Sequence, residues 1–212
     1  LTGGSLAERL SHKAKIGADL PSLSETAEVI KHLANALDYA HSRGVIHRDI
    51  KANNVMFDDQ GSTFLVDFGI AKITSSTTGL TGTGVAMGTP SYMAPEQWRG
   101  ESVTPATDQY ALGVMTYSMV TGRLPFEAPT PYALMHKHLN EEATPPQVWR
   151  TDIPEAIKAV LEQAMAKNPR SRFPSVKDFS DAFSEAIKGA QPASTGFFTA
   201  PLPNRPTSDS AL

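Results

Sequence analysis

The 212-residue sequence predicts a mainly α-helical fold carrying one small β-sheet. Three observations predict it. Ser22 and Glu25 form an S-x-x-E capping box ahead of a run that places Val29, Ile30, Leu33, Ala36, Leu37 and Ala40 on one helical face. Gln109 to Gly122 is uncharged and apolar. It falls short of the roughly 20 residues that a bilayer requires, so it reads as a buried helix. Val55-Met56-Phe57 and Thr63-Phe64-Leu65-Val66 are β-prone runs joined by the turn composition Asp58-Asp59-Gln60-Gly61.

The elements follow in order. Gly3-Gly4-Ser5-Leu6 opens a short helix, expected to run to about Leu10. The capped helix follows, to about Ser42. Arg43-Gly44 ends it, with a cation near the last turn and glycine just beyond the cap. Val45 to Asn54 is loop, and the two strands come next. Residues 70–93 are rich in Thr, Ser and Gly; with little to bury, they are expected to be mobile. The apolar helix spans Asp108 to Thr121 and stops at Gly122. Amphipathic helices are expected at about 130–140, 154–166 and 175–188. The last two carry Ile157, Val160, Leu161, Ala164 and Met165, then Val176, Phe179, Ala182, Phe183 and Ile187. From Gly189 the sequence turns to Pro, Ser and Thr without periodicity. Residues 1–188 are therefore read as the folded unit, and 189–212 as a linker expected to be disordered.

Composition narrows the function. Apolar residues make up 40% and charged residues 19%, as in an ordinary soluble globular protein. A net charge of −3 leaves no footprint for nucleic acid or an anionic membrane. The absence of cysteine excludes disulfides and thiolate metal sites. No signal peptide is visible.

The chemistry lies in three blocks: His47-Arg48-Asp49-Ile50-Lys51-Ala52-Asn53-Asn54, then Asp67-Phe68-Gly69, then Ala94-Pro95-Glu96. The first brings a carboxylate, an ammonium and an amide together. The second adds a carboxylate beside a glycine that lets the chain turn. These are the residue types for in-line phosphoryl transfer on magnesium-bound ATP. Asp49 is the candidate base for a substrate hydroxyl. Lys51 can neutralise charge on the phosphoryl oxygens. Asn54 and Asp67 offer the hard oxygens that Mg²⁺ prefers.

In this order the blocks match the H-R-D-x-x-x-x-N, D-F-G and A-P-E elements of protein kinases. The sequence resembles the C-terminal lobe of a Ser/Thr protein kinase, most closely the eukaryotic-like kinases of bacteria. The resemblance implies that fold, with the small sheet at the catalytic loop and Met56 as the floor of the adenine pocket. It implies that His47 packs beneath Phe68 and that Arg48 pairs with a phosphorylated residue, Thr81 or Thr83, in the 70–93 stretch; Thr77 and Thr78 are weaker candidates. It further implies that Thr89 contacts Asp49 and Lys51 and selects Ser/Thr acceptors, that Glu96 pairs with Arg172, and that Asp108 receives backbone N–H groups of the catalytic loop. Ala52 departs from the proline common there.

The resemblance covers about residues 3–188 and the larger lobe alone. The glycine-rich loop, the strand lysine and its glutamate partner are not in this sequence, so an N-terminal lobe is expected as a partner and the chain alone is expected to turn over little. The implied partners are Mg·ATP, protein substrates with Ser/Thr acceptors and a homodimer for autophosphorylation. The implied setting is cytoplasmic, including the cytoplasmic part of a membrane-anchored kinase. The competing reading is a kinase-like module that binds without catalysing. Two further patterns are set aside. His136 and His138 do not share a helix face and read as surface histidines. Gly82-x-Gly84-x-x-x-Gly88 reads as segment flexibility rather than a nucleotide loop.

Overall fold

The computed structural model describes residues 2–16, 20–68 and 90–188. Seven α-helices and one two-stranded sheet make up the described fold: α1 (Leu6–Ile16), α2 (Leu23–Ser42), β1 (Val55–Phe57), β2 (Thr63–Leu65), α3 (Pro95–Trp98), α4 (Pro105–Thr121), α5 (Pro131–Asn140), α6 (Glu155–Ala164) and α7 (Val176–Ala186). The mainly α reading with a small sheet holds.

Local chemistry sets the boundaries. Ser22 Oγ accepts from Glu25 N at 3.1 Å, and the Glu25 carboxylate accepts from Ser22 N at 2.9 Å, closing the capping box of α2. At the other end, Val45 N donates to Ala40 O and Gly44 N to His41 O. This paired closure needs the left-handed φ of +75° that Gly44 adopts without strain. Helix α4 begins three positions earlier than the apolar pattern suggested, because Pro105 suits a first helical turn. It stops at Gly122, with φ of +72°.

Helix α1 runs past the expected Leu10 to Ile16. Residues 11–16 include no Gly or Pro to stop it, although their apolar periodicity has faded. Its start is held by a capping box that the sequence reading overlooked: Glu8 N donates to Ser5 Oγ at 3.2 Å, and Ser5 N to the Glu8 carboxylate at 2.8 Å.

The core centres on α4, whose residues from Thr107 to Thr121 are all buried. Helix α2 packs along α4 and α7, and α6 packs against α4 and α7. Phe179 and Phe183 of α7 are wholly buried. Each contributes about 1.5–3 kcal/mol by leaving water. The sheet is antiparallel, with Val55 opposite Leu65, Met56 opposite Phe64 and Phe57 opposite Thr63. Gly3 N donates to Phe57 O and Phe57 N to Gly4 O, so the start of the chain lies along β1.

One histidine contradicts the sequence reading. His136 is exposed, but His138 is fully buried, with its Nδ1 2.9 Å from the Tyr110 hydroxyl and its ring 4.9 Å from that of Phe126. It shares the inward face of α5 with Leu134, four residues earlier. Burial, helped by the Lys167 charge, lowers its pKa to about 3. Residues 69–89 and 189–212, with the glycine pattern at 82–88 and the proposed linker, lie outside the described residues.

Candidate active site

Asp108, in the first turn of α4, anchors the loop before β1. Its carboxylate is buried and accepts three bonds of 2.8 Å, from His47 N, Arg48 N and His41 Nε2. A buried carboxylate is costly unless it is satisfied in this way. Arg48 has φ of +67°, a left-handed conformation costing a non-glycine residue about 1–2 kcal/mol. Hydrogen bonds to a charged group are worth about 1.5–3 kcal/mol each, enough to hold that conformation.

His47 lies one residue upstream and is buried. Its Nε2 is 3.1 Å from Val66 O, and its Nδ1 accepts from Asp49 N at 3.3 Å. A neutral ring with the proton on Nε2 satisfies both contacts. Burial lowers the His47 pKa, outweighing the charges of Asp108 and Asp49 and the Val66 carbonyl. The ring lies 4.5 Å from that of Phe68. Between Val66 and Phe68 sits Asp67, exposed, with φ of +59°.

The loop then folds on itself. Lys51 Nζ lies 2.9 Å from Asp49 Oδ2, and Asn54 Nδ2 donates to Asp49 O at 2.8 Å. Asn54 is buried, and its own carbonyl accepts from Val66 N at 2.9 Å. Asp49, Lys51 and Asn54 are thus brought together, with the chain into Asp67 tied to Asn54. Met56, half-buried in β1, bridges to Ser5.

Below this loop, Arg172 grips Glu96 with Nη1 at 2.8 Å and Nη2 at 2.9 Å, and Thr107 Oγ1 donates to the same carboxylate at 2.8 Å. Burial raises the Glu96 pKa, but the Arg172 bonds and charge prevail and hold it below the usual range. Gln97 joins α3 to the loop: Oε1 accepts from Ala94 N at 3.0 Å, and Nε2 donates to Arg48 O at 3.2 Å.

Among the described residues no group of three or more His, Asp or Glu could hold a metal ion. The donors present suit Mg²⁺, which takes one or two protein oxygens and completes its shell with phosphate and water. Asn54, whose amide nitrogen donates to Asp49 O, would offer its oxygen to the ion, and Asp67 its carboxylate. Thr81, Thr83 and Thr89 lie outside the described residues.

The family profile described as the protein kinase domain matches residues 1–183. The chain belongs to the protein kinase family. This kinase chain is 36% identical over 177 residues to the probable serine/threonine-protein kinase PknB of Bifidobacterium longum, covering 83% of the chain and 26% of that protein. It is 36% identical over 171 residues to serine/threonine-protein kinase PknA of Mycobacterium tuberculosis, covering 81% and 39%. It is 34% identical over 154 residues to serine/threonine-protein kinase PrkC of Bacillus subtilis, covering 73% and 24%. The chain therefore spans well under half the length of these relatives.

Two polar contacts of this kinase chain escaped the sequence reading. His41 reaches Asp108 from the last turn of α2, and Gln97 reaches Arg48 from α3. Both contacts are long-range, and no local pattern announces either. Among the described residues no helix is long and apolar enough to cross a membrane.

Proposed function

We propose that the chain carries the catalytic half of a Ser/Thr protein kinase site, with Asp49 as the base. In the proposed reaction the oxygen of a protein Ser or Thr hydroxyl bonds to the γ-phosphorus of ATP. The bond from that phosphorus to the β–γ bridging oxygen breaks, ADP leaves, and the hydroxyl proton passes to the Asp49 carboxylate. Lys51 orients that carboxylate and neutralises charge on the transferring group. Asn54 and Asp67 hold Mg²⁺, which when bound shields the phosphates. Met56 lies under the adenine. The contact that carries this reading is the 2.9 Å Lys51–Asp49 pair, with Asn54 tied to the Asp49 carbonyl at 2.8 Å.

The rest of the proposal follows the family. Phosphorylation of Thr81 or Thr83 engages Arg48, and Thr89 selects the acceptor. Residues 1–188 act as one lobe that works with an N-terminal lobe, and 189–212 form a linker. Substrates are cytoplasmic proteins with Ser or Thr acceptors, and a homodimer supports autophosphorylation.

The test is phosphate transfer from Mg·ATP to a Ser/Thr peptide by the protein as its gene encodes it. Asp49→Asn should lower the rate by about 10²–10⁴ with its melting temperature unchanged. Equal rates for the two proteins would remove Asp49 as the base.

A further inference from the structure

Resting on that phosphotransfer reading, we propose that Gln97 is a positioning residue for the reaction. The donor half of its amide holds the Arg48–Asp49 peptide in the orientation that presents Asp49, coupling α3 to the catalytic loop.

The Arg48–Asp49 peptide is the last rigid unit before the Asp49 side chain. Its carbonyl accepts from Gln97 Nε2 at 3.2 Å, and its N–H donates to His47 Nδ1 at 3.3 Å. The preceding peptide is pinned by Asp108 through the Arg48 N–H. Arg48 thus sits between two clamped peptides. Its left-handed φ of +67° would relax toward the ordinary regions if a clamp were removed, and Asp49 would turn with it.

The orientation of the Gln97 amide is determined by its neighbours. Oε1 accepts from Ala94 N at 3.0 Å, so only Nε2 can meet the Arg48 carbonyl; exchanging the two ends would set donor against donor and carbonyl against carbonyl. The base of Gln97 is equally fixed, because its neighbour Glu96 is locked by Arg172 and Thr107. A residue that only capped α3 would need no donor. The donor reaches across 49 residues of sequence to the one backbone carbonyl next to the proposed base.

Gln97→Glu separates the two halves, because it keeps the acceptor for Ala94 N and loses the donor to Arg48. Arg48-Asp49 is the sole Arg–Asp pair in this sequence. Labelling Arg carbonyl carbon and Asp nitrogen therefore gives this peptide its own NMR signal. In Gln97→Glu the Asp49 amide signal should shift and its exchange with solvent should quicken. The kcat for peptide phosphorylation should fall about three- to tenfold, the size of one neutral hydrogen bond. The KM for ATP should stay unchanged. Gln97→Ala, which also loses the cap, should lower the melting temperature as well. The proposal is overturned if the Asp49 signal and exchange are unaltered in Gln97→Glu, or if they change and kcat stays the same in a protein whose Asp49→Asn variant is inactive. If the parent protein transfers no phosphate, or Asp49→Asn still transfers it, the phosphotransfer reading fails instead, and the NMR signal alone decides whether Gln97 holds the peptide.

Discussion

Arg172 meets the Glu96 carboxylate through two nitrogens, with the arginine side chain fully buried and the glutamate only 2% exposed. Two parallel bonds between buried charges make a geometry that neither partner keeps alone. Glu96→Ala leaves the guanidinium buried beside the Ala106 and Ala166 carbonyls, still charged. The expected loss is about 3–5 kcal/mol in urea unfolding. Glu96→Gln with Arg172→Met should cost less than the two single changes summed. Full additivity would show that the pair is not an energetic unit.

Stability should fall as the solution is acidified from about pH 6.5, the ordinary histidine range. His138 titrates near pH 3 when folded, so between these values the unfolded chain binds a proton that the folded chain refuses. Its contribution is full above the unfolded pKa and drains away as the pH drops, at up to about 1.4 kcal/mol per pH unit. His47, also lowered by burial, adds in the same direction. Glu96 adds a further loss below the ordinary carboxylate range, because Arg172 holds it ionised in the fold. Thermal midpoints of His138→Phe across pH 4–7 should be flatter than those of the parent, and a parallel curve would refute the assignment.

Asp67→Asn should spare the fold and impair magnesium use. Asn tolerates the left-handed φ of +59° nearly as well as any non-glycine residue, so the turn survives while the charge is lost. The Mg²⁺ concentration for half-maximal transfer should rise, with unfolding unchanged. An unchanged Mg²⁺ requirement would take Asp67 out of the metal site.

Gly44→Ala and Gly122→Ala form a graded pair. Both glycines have left-handed φ, at +75° and +72°, but an added Cβ at Gly44 meets nothing within 4 Å, whereas at Gly122 it meets Leu20 at 3.1 Å. Gly44→Ala should cost about 1–2 kcal/mol of backbone strain alone. Gly122→Ala should cost more, by whatever the Leu20 contact adds. Equal melting temperatures for the two variants would contradict the ranking.

Apart from what the family resemblance carries, legibility depends on how far along the chain each cause lies. Ser22–Glu25 and Gly44 act within a few residues, and the ends of α2 followed from them. The Ser5–Glu8 box carries the same local signal, whereas nothing in residues 11–16 marks the end of α1 at Ile16. The motif residues are named through the family resemblance, which also supplies the long-range pair of Glu96 with Arg172. Contacts such as His41 with Asp108 and Gln97 with Arg48 join residues far apart in sequence, through single side chains without periodicity. Burial of His138 is not signalled by its spacing to His136. The informative partner was Leu134, one helical turn away.

The left-handed φ of Arg48 means that this loop does not carry its own shape. Arginine does not select that conformation; it is imposed on Arg48 by a carboxylate sixty residues downstream and an amide from α3. A grafted octapeptide, moved to another scaffold with every catalytic side chain intact, would arrive without those clamps and spring back toward ordinary backbone. Anyone transplanting the chemistry would have to move the first turns of α3 and α4 with it, so the smallest portable unit is a discontinuous one.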